Sequence, residues 1–144
     1  MSLSWEDKLQ LQYLLVKYAR ALDYATEDNA KEFFETVTDD AVFESPLSGH
    51  YEGTAGLKTF YERALKASEK SFVRHHISNF TIHGDGDEAD IKAYLAEWII
   101  SKKPQPAGKH PMPELLFTGS YDCTARRVDG KWRMSRRKVI VDGR

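Results

Sequence analysis

Two histidines stand side by side in the segment "FVRHHISNF" (residues 72–80), which otherwise alternates as a β-strand does. Because neighbouring side chains of a strand point to opposite faces, only one of His75 and His76 can face the interior. An inward imidazole can act as a general base near neutral pH, especially when a carboxylate accepts the proton of its other ring nitrogen. The doublet therefore raises two questions: which histidine is functional, and which carboxylate is its partner.

Asp23 is one carboxylate that could take that role. It ends a helical pattern that starts at Ser4, and at about 100° per residue it lies roughly 20° from Val16, beside the apolar stripe. A carboxylate there is costly unless it is paired, and an imidazole is a natural partner. Two plainer interpretations stay open: Asp23 ends the helix or pairs with Arg20, and His75 is a structural histidine of the core or of an interface.

The composition excludes several classes of function. The 21 basic residues nearly balance the 22 acidic ones, which argues against nucleic-acid and membrane partners. The basic run "RRVDGKWRMSRRK" (residues 126–138) alternates with apolar residues and predicts the solvated face of a hairpin. Cys123 is the only cysteine, so an intrachain disulfide and a cysteine zinc cluster are excluded. No pair of histidines and carboxylates has metal-ligand spacing, so we expect no metal.

The elements that must position Asp23 and His75 follow from periodicity and turn residues. We predict helices over residues 4–23, 26–37 and 54–68, with Asp28 or Asn29 capping the second and Thr54 the third. Strands are predicted over residues 40–45, 71–83, 89–101, 114–128 and 131–141, with residues 46–53 and 102–113 as connections and Asp129-Gly130 as a tight turn. This order predicts an α+β fold in which three helices pack on one face of a curved, mainly antiparallel sheet.

The strand patterns also predict self-association. In residues 72–82 one parity holds Phe72, Phe80 and Ile82, while the other holds Val73, His75 and Ile77. Both faces of the sheet therefore need cover, and three helices can cover only one. We expect the outer face to pack against another copy of the chain in a homo-oligomer, either a dimer or a trimer. The charged N-terminus, the single cysteine and the lack of a long apolar segment predict a cytoplasmic protein.

Four segments carry a family resemblance: "YARALDYATEDNAKEFF", "DAVFESPLSGHYEGTAGLKTFY", "RHHISNFTI" and "DGKWRMSRRKV". Together they resemble the SnoaL-like branch of the nuclear-transport-factor-2-like superfamily, which includes scytalone dehydratase, hexachlorocyclohexane dehydrochlorinase, bile acid 7α-dehydratase and ketosteroid isomerase. The resemblance implies a cone-shaped fold and a single SnoaL-like domain over residues 1–144. It also implies that Asp23 and His75 form a catalytic pair, with His76 on the outer side of the sheet or against a partner subunit.

Further site residues are predicted around this pair. Tyr18 stands where bile acid 7α-dehydratase has a functional tyrosine, although its position on the helix favours a core aromatic. Glu97 interrupts an apolar strand and either lines the cavity as a second acid or pairs with an arginine. We expect the remaining wall of a substrate-binding cavity to come from Phe43, Phe60, Tyr61 and Trp98.

The sequence also departs from scytalone dehydratase. The strand at residues 93–101 has no histidine where that enzyme has a second one, and Leu22 replaces the tyrosine just before its aspartate. These departures imply a different substrate and leave the general acid unidentified.

The resemblance implies a cofactor-independent lyase that carries out a dehydratase-type elimination on a small hydrophobic cyclic substrate. His75, oriented by Asp23, would remove a proton from carbon. Two alternatives stay open: an isomerase or polyketide-type cyclase that uses the same pair, and a non-catalytic binding or assembly subunit like the small subunit of ring-hydroxylating dioxygenases. The non-catalytic alternative predicts that Asp23 and His75 are apart or that bulky side chains fill the cone.

Overall fold

Three helices and six strands make up the computed structural model, which describes residues 2–143. The helices are α1 (Trp5–Asp23), α2 (Ala30–Glu35) and α3 (Gly53–Ser68). The strands are β1 (Val37–Ser45), β2 (Gly49–Glu52), β3 (Ser71–Asp85), β4 (Glu88–Ser101), β5 (Glu114–Val128) and β6 (Lys131–Val141). They form one sheet in the order β2-β1-β6-β5-β4-β3, antiparallel except for the β1–β6 pair. The predicted α+β class and mainly antiparallel sheet are confirmed.

The residues of β2 were predicted to be a turn-rich connection, which is wrong. They pair antiparallel with β1, from Val42↔Glu52 to Ser45↔Gly49, and place Tyr51 towards the core. A four-residue edge strand between turn residues has no periodicity of its own, because its partner strand defines it.

Helix α1 begins with a capping box. The Asp7 backbone N–H donates to Ser4 Oγ at 3.0 Å, and the Ser4 backbone N–H donates to Asp7 Oδ2 at 3.1 Å. The helix buries Leu11, Leu15 and Tyr18 completely and packs on β3 and β6. Asp23, the last residue of α1, therefore lies beside β3.

The two shorter helices begin differently from the prediction. Asn29 is the N-cap of α2, but its side-chain amide donates to the Tyr24 carbonyl at 2.7 Å and not to the helix. Helix α3 begins at Gly53 with Glu52 as its N-cap, so Thr54 is not the cap. Instead, Thr54 Oγ1 donates to the Asp39 carbonyl at 3.3 Å, which ties the start of α3 to β1.

A β-bulge reverses the parity of β3 halfway along. Asn79 has φ = 54°, and the register to β4 shifts between Ser78 and Thr81, so that two residues of β3 oppose one of β4. Phe80 and Ile82 consequently pack on the core side, as Ile77 does before the bulge. The prediction that Phe80 and Ile82 share the outer face with Phe72 is wrong, and the outer face is less apolar than the sequence suggested.

A second bulge reverses the parity of β6. Ala125 of β5 pairs with Met134 and Thr124 pairs with Arg136, which leaves Ser135 as the extra residue. Arg137 therefore points inward, although a strict alternation from Met134 would turn it outward. The prediction that the basic run lies on a solvated face is wrong for Arg137, which is only 4% exposed.

None of the helices within residues 2–143 is long and apolar enough to cross a membrane.

Candidate active site

Asp23 and His75 meet where the end of α1 crosses β3. His75 Nδ1 lies 2.5 Å from Asp23 Oδ1, and the backbone N–H of His75 donates to Asp23 Oδ2 at 3.2 Å. The two side chains are 8% and 9% exposed. An ionised carboxylate can only accept a hydrogen bond, so this contact favours the tautomer with the proton on Nδ1 and the lone pair on Nε2. The pair is thus a carboxylate–imidazole unit with one free basic nitrogen.

Glu97 faces this free nitrogen from the neighbouring strand. Glu97 is the cross-strand partner of His75, so both side chains stand on the same face of the sheet. Its Oε1 lies 3.8 Å from His75 Nε2, beyond hydrogen-bond distance but close enough to stabilise a positive charge on the ring. The sequence left two interpretations of Glu97 open; it faces the cavity, and no arginine within the described residues pairs with it.

Two cavities adjoin this cluster, with volumes of about 260 and 240 Å³. They share His75 and Glu97, and their other common wall residues are Leu22, Ser48 and Phe60. We call the one that also contacts Asp23 the first cavity; its further lining is Tyr51, Arg63, Ala64, Ala67, Ser68, Ser71 and Val73. The second cavity is lined mainly by apolar side chains together with Tyr121 and Arg137. A small molecule in either cavity would touch His75.

Arg137 places a positive charge at the second cavity. Its Nη1 donates to the Tyr18 hydroxyl at 2.5 Å, and its guanidinium carbon lies 4.4 Å from the centre of the Phe43 ring and 5.1 Å from that of Phe60. Within residues 2–143 no carboxylate oxygen lies within 4.0 Å of it, and its Nε has no protein acceptor. Aromatic faces hold the cation without neutralising it.

The phenols beside Arg137 stay protonated. Burial raises the pKa of Tyr18 and raises that of Tyr121 well above its ordinary value, so neither supplies a negative charge to the guanidinium at neutral pH. An arginine keeps its proton even when it is buried. The second cavity therefore carries a fixed positive charge that can stabilise an anion forming there.

Of the other predicted site residues, some line the cavities and some do not. Phe60 lines both cavities, whereas Tyr18 and Phe43 form the aromatic layer around Arg137 and do not line either cavity. The buried Tyr61 donates its hydroxyl proton to the Thr26 carbonyl at 2.8 Å and joins α3 to the segment after α1. Trp98 lies on the outer face of β4, where its ring centre is 6.3 Å from that of the exposed His76.

Arg137 and Arg63 are the charged lining residues that the sequence reasoning missed. A signal for Arg137 was present: Trp132 and Met134 have one parity, but the equally apolar Val139 and Val141 have the other. Both pairs can face the core only if one residue is inserted between them, and that insertion turns Arg137 inward. No comparable signal marks Arg63, whose place depends on the tertiary packing of α3.

No group of three or more His, Cys, Asp or Glu residues within the described part of the chain is arranged to hold a metal ion. The absence of a metal and of a cofactor stays a prediction.

Comparisons with known proteins identify the family of this chain. The model of the SnoaL-like domain matches residues 4–138, so the chain belongs to the SnoaL-like family. The resemblance predicted from the sequence is confirmed. A search of curated proteins finds no significant match.

Solved structures share the fold at low sequence identity. An NTF2-like protein with a cystatin-like fold from Novosphingobium aromaticivorans is 20% identical, with a TM-score of 0.73 over 96% of this chain and 84% of the other. A candidate scytalone dehydratase from the same organism is 19% identical, with a TM-score of 0.76 over 94% and 84%. ActVI-ORFA from Streptomyces coelicolor is 17% identical, with a TM-score of 0.74 over 94% and 96%. The chain thus has the cystatin-like fold that these structures share.

Proposed function

We propose that this protein is a cofactor-independent lyase that removes water from a small hydrophobic cyclic substrate. The observation that carries the proposal is the Asp23–His75 pair, whose free Nε2 belongs to a residue lining two largely apolar cavities. An imidazole held in this tautomer is a general base for a proton on carbon. The structural relative described as a candidate scytalone dehydratase points to the same class of reaction.

The proposed reaction begins with proton abstraction. His75 Nε2 takes a proton from the carbon next to a carbonyl, and the electron pair of that C–H bond forms a double bond as the C–O bond on the neighbouring carbon breaks. The imidazolium returns the proton to the departing hydroxide, which leaves as water. Every proton is thus accounted for, and no external acid is needed.

Three charged groups support these steps. Asp23 stabilises the imidazolium and fixes the ring, and Glu97 at 3.8 Å from Nε2 adds a second negative charge beside it. Arg137 stabilises the negative charge that develops on the carbonyl oxygen. The surrounding apolar walls exclude water and so strengthen each of these interactions.

The non-catalytic alternative is less well supported than the enzymatic one. It predicted a separated pair or a filled cone, whereas Asp23 contacts His75 and two cavities adjoin them. Isomerisation and cyclisation begin with the same proton abstraction, so only the product distinguishes them from elimination.

The test is turnover of a panel of cyclic β-hydroxy ketones, with product mass and enone absorbance as readouts. We expect loss of one water from the preferred substrate. His75→Gln and Asp23→Asn should each lower the rate by about 10²–10⁴-fold, while the control His76→Gln leaves it unchanged. Full activity of the His75→Gln variant would refute the proposal, and a product of unchanged mass would assign an isomerase.

The assembly and the location complete the proposal. We propose a homo-oligomer, dimer or trimer, built through the outer face of the sheet, where Phe72, Tyr94 and Ile140 are 44%, 62% and 45% exposed. A cytoplasmic location, supported by the single cysteine, also stays a prediction.

A further inference from the structure

The first cavity contains a positive charge that the proposed elimination does not use. Arg63 of α3 lines this cavity on the same helix as Phe60 and Ala64. Its Nη1 donates to the Ser48 carbonyl at 3.1 Å and, through a short contact, to the Tyr51 hydroxyl. Both acceptors are neutral, and no carboxylate oxygen within residues 2–143 lies within 4.0 Å of the guanidinium.

These contacts fix the arginine without occupying all of its donors. The Tyr51 hydroxyl donates in turn to the Ser48 carbonyl at 2.8 Å, and Tyr51 itself is 9% exposed, so the acceptors are anchored. The Nε and Nη2 of Arg63 have no acceptor among the described residues. A guanidinium with two adjacent free donors fits the two oxygens of a carboxylate.

A second cation, Lys102, contacts the backbone of one wall residue but does not itself line this cavity. Lys102 Nζ donates to the carbonyl of Ser68, a lining residue, at 2.5 Å and lies 4.5 Å from the centre of the Phe72 ring. Within the part of the chain that the structure describes, no carboxylate pairs with Lys102. The polar side chains Ser68 and Ser71 add hydroxyl groups to this wall.

We infer that the first cavity selects substrates that carry a carboxylate, bound by Arg63 as the specificity-determining residue. The inference rests on the proposed function for the reacting part of the substrate, which lies at His75. The substrate class is then a cyclic β-hydroxy ketone whose apolar ring bears an acid group at the end away from Arg137.

Matched pairs of aromatic acids and amides test this inference without a known substrate. The probes are benzoate with benzamide and 1-naphthoate with 1-naphthamide, whose members have nearly the same shape but differ in charge. Binding to the full chain is measured by calorimetry at low and at high salt. We expect each acid to bind about tenfold more tightly than its amide at low salt, with the preference reduced when salt screens the cation.

The variants identify the residue responsible. Arg63→Met should abolish the preference for the acid, and Arg63→Lys should retain part of it. The control Lys58→Met removes the same charge from an exposed lysine of α3 that lines neither cavity, and should leave the preference unchanged. Thermal unfolding of each variant checks that the fold is intact.

Three results would overturn the inference: no carboxylate of the series binds, the wild type binds acid and amide equally, or the preference survives Arg63→Met. His75→Gln separates the inference from the proposed function. If this variant loses turnover but keeps the preference for acids, both stand. If it keeps turnover as well as the preference, the elimination mechanism fails while the carboxylate site remains.

Discussion

Asp23 holds His75 by its ring and by its backbone at the same time. Oδ1 contacts the ring Nδ1 at 2.5 Å, while Oδ2 accepts the backbone N–H of the same residue at 3.2 Å. The carboxylate therefore fixes both the position of the strand and the direction of the ring. This double contact explains how a helix end and a strand 52 residues apart in the sequence can present one nitrogen to a cavity.

Arg137 allows a test of electrostatic stabilisation that does not involve the dyad. Arg137→Met removes the positive charge but keeps much of the apolar volume, so we expect turnover to fall by about 10²–10³-fold. The stability should change by less than about 2 kcal/mol, because relief of an unpaired buried cation offsets the lost partner of the Tyr18 hydroxyl. Steady-state kinetics and urea unfolding measure the two effects.

Arg136→Met is the matched control, since Arg136 is the preceding residue of β6 and does not line either cavity. Undiminished turnover of the Arg137→Met variant would show that the guanidinium has no part in the reaction.

The residue-scale result also shows which kind of site residue a sequence can predict. Asp23 and His75 were predicted as a pair from the family resemblance, whereas the residues alone left a structural role open for each of them. Arg137 was missed because one extra residue, Ser135, changes the parity of β6. Trp98 was predicted to line the cavity, but it lies on the outer face of β4, and its neighbour Glu97 faces the cavity.

At the scale of elements, Asp7 couples the start of α1 to the β5–β6 hairpin. Its carboxylate accepts hydrogen bonds from Ser4, from Arg127 and, at 3.4 Å, from the indole of Trp132. The bond from the Ser4 side chain, followed by that from Arg127, lowers the pKa of Asp7 from 3.8 to about 2. A carboxyl group whose pKa is lowered by folding stabilises the folded state at pH values above its unfolded pKa of about 3.9. This stabilisation is lost as the pH falls towards 2.

We therefore predict that Asp7→Asn destabilises the protein at pH 7 and has a smaller effect at pH 2. Urea unfolding at several pH values measures this, and the wild-type stability should fall more steeply between about pH 4 and 2 than that of the variant. Glu6→Gln, an exposed acid of the same helical turn, is the control. Identical pH profiles of the wild type and Asp7→Asn would contradict the prediction.

The elements themselves were predictable where a local pattern defines them. The stripe of α1 and the Asp129-Gly130 turn, whose residues have φ = 52° and 77°, follow from their own residues. The β2 strand and the β3 bulge at Asn79 do not, because pairing with another strand decides both. The geometry of the candidate site depends on strand pairing as much as on local patterns.

At the scale of the whole molecule, Cys123 reports on global unfolding. It is completely buried and is the only cysteine of the chain, and burial raises its pKa to about 12. A thiol that is both buried and protonated does not react. We predict that Ellman's reagent labels less than about a tenth of the native protein in the time that labels the urea-unfolded chain completely. Rapid labelling of the native protein would show that the core opens easily.

Self-association belongs to the same scale. Tyr94 on the outer face of the sheet and Tyr13 on α1 are both 62% exposed, which provides a matched pair of surface tyrosines. We predict that sedimentation of the wild type gives a dimer or trimer, that Tyr94→Lys weakens association by at least about tenfold, and that Tyr13→Lys has no effect. A monomeric wild type at all concentrations would contradict the prediction.

The most direct test of the central claim is the protonation of the two ring nitrogens of His75. Long-range ¹H–¹⁵N correlation spectra of histidine-labelled protein at mildly alkaline pH distinguish a protonated ring nitrogen from a bare one. We predict that Nδ1 carries the proton and Nε2 is bare in the wild type, and that Asp23→Asn removes this preference. A wild-type spectrum in which Nε2 carries the proton would contradict the account, because the nitrogen that should accept the substrate proton would already be occupied.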